Sequence, residues 1–211
     1  MEKYKISVCV PTLWRPDKLK RLLEAIRKNA NYSNYEIIVK ADKMPPNNVW
    51  APTMLAECVK EATWDAILFL GNDCIPEPNF MQEAVWGMVR KFPDFDWMIW
   101  LSDWYWRWDQ WQVSTHWMAS KKLLPYLGWF FFEPSLFHCW CDNILQARCE
   151  KIWKFSWCEK ARLFHDHPIN NWFTFGVDEL YAQAYGGPRK KHDDKVYKEL
   201  IKKYWLEDRK W

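Results

Sequence analysis

The chain of 211 residues carries 30 Lys and Arg against 27 Asp and Glu, a net charge of +3, and is 49% apolar. That length builds one well-buried domain, and the apolar fraction excludes disorder. No apolar run reaches the ~20 residues of a membrane span, and the even charge excludes a dedicated nucleic-acid binder. The unusual quantity is the 18 tryptophans, beside 12 Phe and 9 Tyr. They demand either an aromatic core or a surface for flat, partly apolar ligands, of which carbohydrates are the obvious class.

In chain order, Lys5 to Val10 is a short run with β-branched residues, closed by Pro11-Thr12, and predicts a strand. Pro16-Asp17 opens a helix with Leu19, Leu22, Leu23 and Ile26 on one apolar face. Tyr35 to Val39 reads as a second strand and Leu55, Val59 and Ala62 as a helix. Asp65 to Leu70 is the most apolar strand. Strand, helix, strand, helix, strand is the grammar of an α/β domain with a mostly parallel central sheet flanked by helices. Beyond it, Leu101 to Trp108 reads as a strand or an aromatic loop, Asp142 opens a short helix, and Ala161 to Phe164 reads as a strand before His165-Asp166-His167-Pro168. Residues 194–211 have Val196, Tyr197, Leu200, Ile201, Tyr204 and Trp205 at helical spacing, opposite Lys195, Lys198, Lys202 and Lys203. That pattern fits a helix docked on the domain, with a peripheral membrane contact as the alternative. No Gly/Ser-rich linker or internal repeat divides the chain, so residues 1–193 are read as one domain.

Seven cysteines, an odd number, and a start without a secretory apolar segment lead us to expect free buried thiols and a cytoplasmic location. Ligands of a parallel α/β sheet bind beyond the carboxyl ends of its strands. That rule selects Pro11 to Arg15, Lys40-Ala41-Asp42 and Gly71-Asn72-Asp73-Cys74. None carries a Gly-rich phosphate loop, which disfavours dehydrogenases, ATPases and nucleotidyltransferases. Asp73 reads either as a turn former or as a carboxylate for a divalent ion.

These segments, in order and joined by Asp142-Asn143-Ile144-Leu145 and His165-x-His167-Pro168, resemble the GT-A glycosyltransferases of the family 2 type over residues 5–185. The resemblance implies a single GT-A (Rossmann-like) domain, its donor-binding half about 1–95 and its acceptor and catalytic half about 96–193. It implies that Pro11, Thr12, Arg15, Asp42, Asn72 and Asp73 bind a nucleotide-sugar, with a UDP-sugar as the expected donor. Asp73, with His165 or His167, would hold a divalent metal, Mn2+ or Mg2+. The family's Asp-x-Asp is reduced here to Asn72-Asp73, one carboxylate in place of two or three. Asp142 matches the general base of the inverting members, although an Asp at a helix start also reads as an N-cap. Trp104, Trp106 and Trp108, interleaved with Asp103, Arg107 and Asp109, fall where such enzymes wall the acceptor site. The acceptor would be a carbohydrate, glycoprotein or glycolipid. The competing class is a non-catalytic nucleotide- or carbohydrate-binding module on the same fold.

Overall fold

In a computed structural model, the structure describes residues 3–13, 15–43, 49–103, 115–166 and 186–206. Its strands are β1 (Ile6–Thr12), β2 (Tyr35–Ala41), β3 (Ala66–Phe69), β4 (Cys74–Pro76), β5 (Met98–Ser102), β6 (Trp117–Ser120) and β7 (Phe155–His165). The helices are α1 (Pro16–Asn29), α2 (Trp50–Glu61), α3 (Phe80–Lys91), α4 (Cys141–Lys151) and α5 (Gly187–Tyr204), with a 3-10 helix at Lys121–Leu127. The seven strands form one sheet in the order β2-β1-β3-β6-β5-β7-β4. β1 pairs in parallel with β2 and β3, and β5 with β7; β6 runs antiparallel to β3 and β5, and β4 antiparallel to β7. The α/β domain read from the sequence is therefore present, its parallel part on the β2-β1-β3 side and its mixed part beyond β3.

The two-residue period of a strand decides which core each side chain joins. Ile6, Val8 and Val10 of β1, with Ala66, Leu68 and Leu70, meet Leu22 and Ile26 of α1 and Ala84, Val85 and Met88 of α3. Cys9, Ile67 and Phe69 face the other way, toward Leu55 and Cys58 of α2, Ile144 and Leu145 of α4, and Tyr197, Leu200 and Ile201 of α5. Helix α1 starts where Pro16 presets its first turn, with Asp17 in that turn and Arg27 and Lys28 in the last.

The last helix differs from its expected span of 194–211: it begins at Gly187, with Pro188 in its first turn, and ends at Tyr204. Its apolar face is covered by the domain, leaving Lys191, Lys195, Lys198, Lys202 and Lys203 exposed. The tryptophans also divide. Trp64, Trp100 and Trp117 are buried, and Trp117 lies 5.3 Å from Phe69 and 5.0 Å from Phe131. Trp97 stacks on Phe92 at 3.5 Å. Within the tryptophan-rich stretch 97–117, every described indole thus serves packing. Trp104, Trp106 and Trp108 lie outside the described residues. All seven cysteines are buried thiols outside any disulfide, as expected.

Candidate active site

The sheet order brings chain ends from both halves to one edge. β1, β2, β3, β5 and β7 end there, and β6, being antiparallel to β3, begins there. The edge opens into a cleft of about 480 Å³ lined by Pro11, Thr12, Arg15, Asp42, Trp50, Asn72, Asp73, His116, His138, Trp140, Asp142, His165 and Lys190, among others. Every described residue proposed from the sequence for nucleotide, metal or base thus lines this one cleft. His167 lies outside the described residues.

On the donor side, Asn72 ties two strand ends together: its Nδ2 donates to Thr12 Oγ1 at 2.6 Å and to the Leu13 carbonyl at 3.3 Å. Asp42 is buried, and its carboxylate accepts the backbone N–H groups of Lys43 (2.6 Å), Val49 (2.9 Å) and Trp50 (2.6 Å). It satisfies donors at the open end of α2 that would otherwise be orphaned. The carboxylate therefore shapes the cleft wall by holding Trp50.

Asp73 lies within a tight turn in which Cys74 N–H and Sγ both donate to the Gly71 carbonyl, at 3.3 and 3.1 Å. The β4–β7 ladder sets Cys74 opposite His165, and Asp166 N–H donates to the Asp73 carbonyl at 2.7 Å. His165 Nε2 consequently lies 3.7 Å from Asp73 Oδ1. A third residue joins them. Phe69 pairs with Trp117 across β3 and β6, which places His116 beside the Gly71 turn. Asp73, His116 and His165 offer donor atoms all within 4.8 Å of one another, the group of described residues suited to a metal ion. A Cβ on Gly71 would lie 2.6 Å from Asp73 Oδ1 and 3.2 Å from His116 Nε2. Only a residue without a side chain leaves open the space on which these atoms converge. His116 was not anticipated from the sequence. Its one signal was its place just ahead of a short apolar run.

Behind the imidazoles, His165 Nδ1 is 3.4 Å from Asp103 Oδ2 and 3.3 Å from Thr115 Oγ1, and His116 Nδ1 is 2.9 Å from the same hydroxyl. Burial alone would raise the Asp103 carboxyl, but the His165 hydrogen bond and the charges of His116 and His165 hold it below its ordinary value. Burial disfavours the His165 cation, yet Asp103, Asp73 and Asp142 together raise its proton affinity.

Asp142 sits in the first turn of α4, but the N-cap of that helix is Trp140 and no side-chain hydrogen bond caps it. Its Oδ1 is enclosed without a hydrogen-bond partner among the described residues. Burial is the main reason its carboxyl is pushed up to about 8; nearby Asp103 adds to the rise and His165 opposes it. A buried carboxyl displaced in this way and facing a cleft is a candidate functional group.

α5 closes the far wall. Asp193 accepts the backbone N–H groups of Phe137 (2.9 Å), His138 (2.9 Å) and Cys139 (2.8 Å), fixing the loop ahead of α4. Arg189 lies over the Trp50 ring at 4.7 Å, and Lys190 pairs with Asp194 at the cleft margin.

No family model and no curated protein matches the chain. Solved structures do. S. aureus TarS residues 1–349 superposes with a TM-score of 0.62 at 15% identity, over 95% of this chain and 72% of that one. The same fragment in complex with UDP gives 0.60 at 14% identity. The mannosyltransferase PcManGT from Pyrobaculum calidifontis, in complex with GDP-Man and Mn2+, gives 0.63 at 11% identity, over 95% of this chain and 68% of that one. Against a longer TarS structure the chain spans 43% of the length. The fold is thus that of the GT-A-type glycosyltransferases.

Proposed function

We propose that the chain transfers a sugar from a nucleotide-sugar donor, a UDP-sugar by preference, to an acceptor hydroxyl with inversion at the anomeric carbon. The observation carrying this reading is a single cleft holding both Asp73 with two imidazoles and an Asp142 whose Oδ1 has no hydrogen-bond partner among the described residues. Thr12, Arg15, Asn72 and the wall fixed by Asp42 would seat the nucleotide, with Trp50 as an aromatic face for the base. Arg15 and Lys190 are cations at the cleft that would meet the diphosphate. Asp73 and His165, with His116, fit a divalent cation, which supplies charge neutralisation for the departing diphosphate. Asp142 takes the acceptor proton during attack, a task suited to a carboxyl whose proton affinity is matched to neutral pH. Trp104, Trp106 and Trp108 are assigned to the acceptor. Any contact with an anionic membrane would use the exposed lysines of α5, because its apolar face is already covered.

The test is donor hydrolysis across a panel of UDP- and GDP-sugars with divalent metal, paired with nucleotide binding by calorimetry. The reading expects slow release of nucleoside diphosphate from one donor, lost in Asp142→Asn with nucleotide binding kept. Tight nucleotide binding without release from any donor would leave a binding module instead.

A further inference from the structure

The donor set at the cleft floor is unusual for an ion that accompanies a diphosphate. Two of its three protein donors are imidazole nitrogens and only Asp73 contributes oxygen. Magnesium and calcium are hard ions that take oxygen ligands, whereas imidazole suits the later first-row transition ions. The imidazoles are also set up as ligands to a metal usually are. In each, Nδ1 is engaged from behind, His165 by Asp103 and Thr115 and His116 by Thr115, while Nε2 lies on the Asp73 side. Such outer partners fix ring orientation and tautomer and strengthen the ligating nitrogen. Gly71 completes the cradle, because a Cβ there would fall 2.6 Å from Asp73 Oδ1.

From this geometry we propose that Asp73, His116 and His165 form a two-histidine, one-carboxylate site that selects a transition ion and rejects Mg2+ and Ca2+, with Asp103 and Thr115 as its positioning residues. His116 takes the place of the carboxylate missing from Asn72-Asp73. Affinity rises from Mn2+ to Co2+, following the intrinsic order for nitrogen-containing sites. The three protein donors leave the remaining positions for the diphosphate oxygens and water. The proposal deepens the donor-site reading above, but metal selection is measured without nucleotide, so the two can fail separately.

The experiment is calorimetric titration of the full chain with Mg2+, Mn2+, Co2+ and Zn2+, together with the visible spectrum of the Co2+ form. Expected are Co2+ and Zn2+ affinities at least 100-fold above that for Mg2+, and ligand-field bands without the intense near-ultraviolet absorption of a cobalt–thiolate bond. His116→Gln, which conserves volume, and His116→Ala should each weaken Co2+ at least tenfold, with circular dichroism confirming the fold. Asp103→Asn should weaken Co2+ by about 10- to 100-fold without removing a ligand. Equal affinity for Mg2+, wild-type Co2+ binding in a folded His116→Gln chain, or a thiolate band would overturn the proposal. Donor turnover with Mg2+ alone would likewise overturn it while sparing the transferase reading. Selective Co2+ binding without turnover of any donor would do the reverse.

Discussion

Asp142 is held where ionisation is expensive, and this has a stability consequence with a definite sign. Its carboxyl rises from 3.8 to about 8 on folding, chiefly through burial. Between those values the folded chain keeps a proton that the unfolded chain has released, so stability falls as pH rises. The contribution is complete below about pH 4 and gone above about pH 8. Asp142→Asn removes this dependence: its melting temperature should exceed that of the wild type increasingly from pH 4 to 8, by on the order of 2–4 °C per kcal/mol recovered. The same substitution should lower transfer by at least about 100-fold, and wild-type transfer should climb with pH toward 8. An equal melting difference at all pH values would mean that the carboxyl titrates normally. At the same scale, Gly71→Ala should leave the fold intact but push Asp73 and His116 apart. Metal affinity should drop at least tenfold with a melting change of only a few degrees. Unaltered metal titration would refute that placement.

At the scale of elements, α5 acts on the cleft through Asp193, whose carboxylate accepts the backbone N–H groups of Phe137, His138 and Cys139. Asp193→Ala removes three hydrogen bonds to a carboxylate, which should cost about 3 kcal/mol and lower the melting temperature by on the order of 10 °C. Nucleotide binding should weaken with it, since His138 and Trp140 stand in the cleft wall. Unchanged melting and unchanged binding would refute the latch. Legibility in the sequence also divides at this scale. β1, α1 and β3 could be read because their signals are local: alternating burial, a proline at the first helical turn, an apolar run. The start of α5 was missed although Gly186-Gly187-Pro188 marks it, Pro188 being in the first turn. His116 was missed for a deeper reason. It reaches the cleft only through the antiparallel pairing of β6 with β3, a long-range contact that no local pattern announces. Asp42 was found, but not that its oxygens are spent on the open end of α2.

At the scale of the molecule, a large part of the aromatic content among the described residues serves packing. Trp100, Trp117, Phe69, Phe131 and Phe132 are buried in the layer between the sheet and the helices that bound the cleft. Trp50 and Trp140 are the described indoles that reach the cleft itself. The site depends on the complete mixed sheet, because its residues come from both the parallel part and the strands beyond it.

The three-pronged cradle carries one more consequence, for chain topology. Asp73, His116 and His165 lie far apart in sequence, on the β3–β4 turn, just ahead of β6 and at the end of β7. An ion held by all three is a reversible cross-link that closes two long chain loops, and it binds the unfolded chain poorly. At 100 times its dissociation constant it should add about 2.7 kcal/mol to global stability. Locally, it should slow amide hydrogen exchange at Cys74 and His165, facing partners on the short β4–β7 ladder, more than at β1. The cleft floor would then serve as the clasp of the sheet's far edge, so that an empty site and a loosened edge are one state.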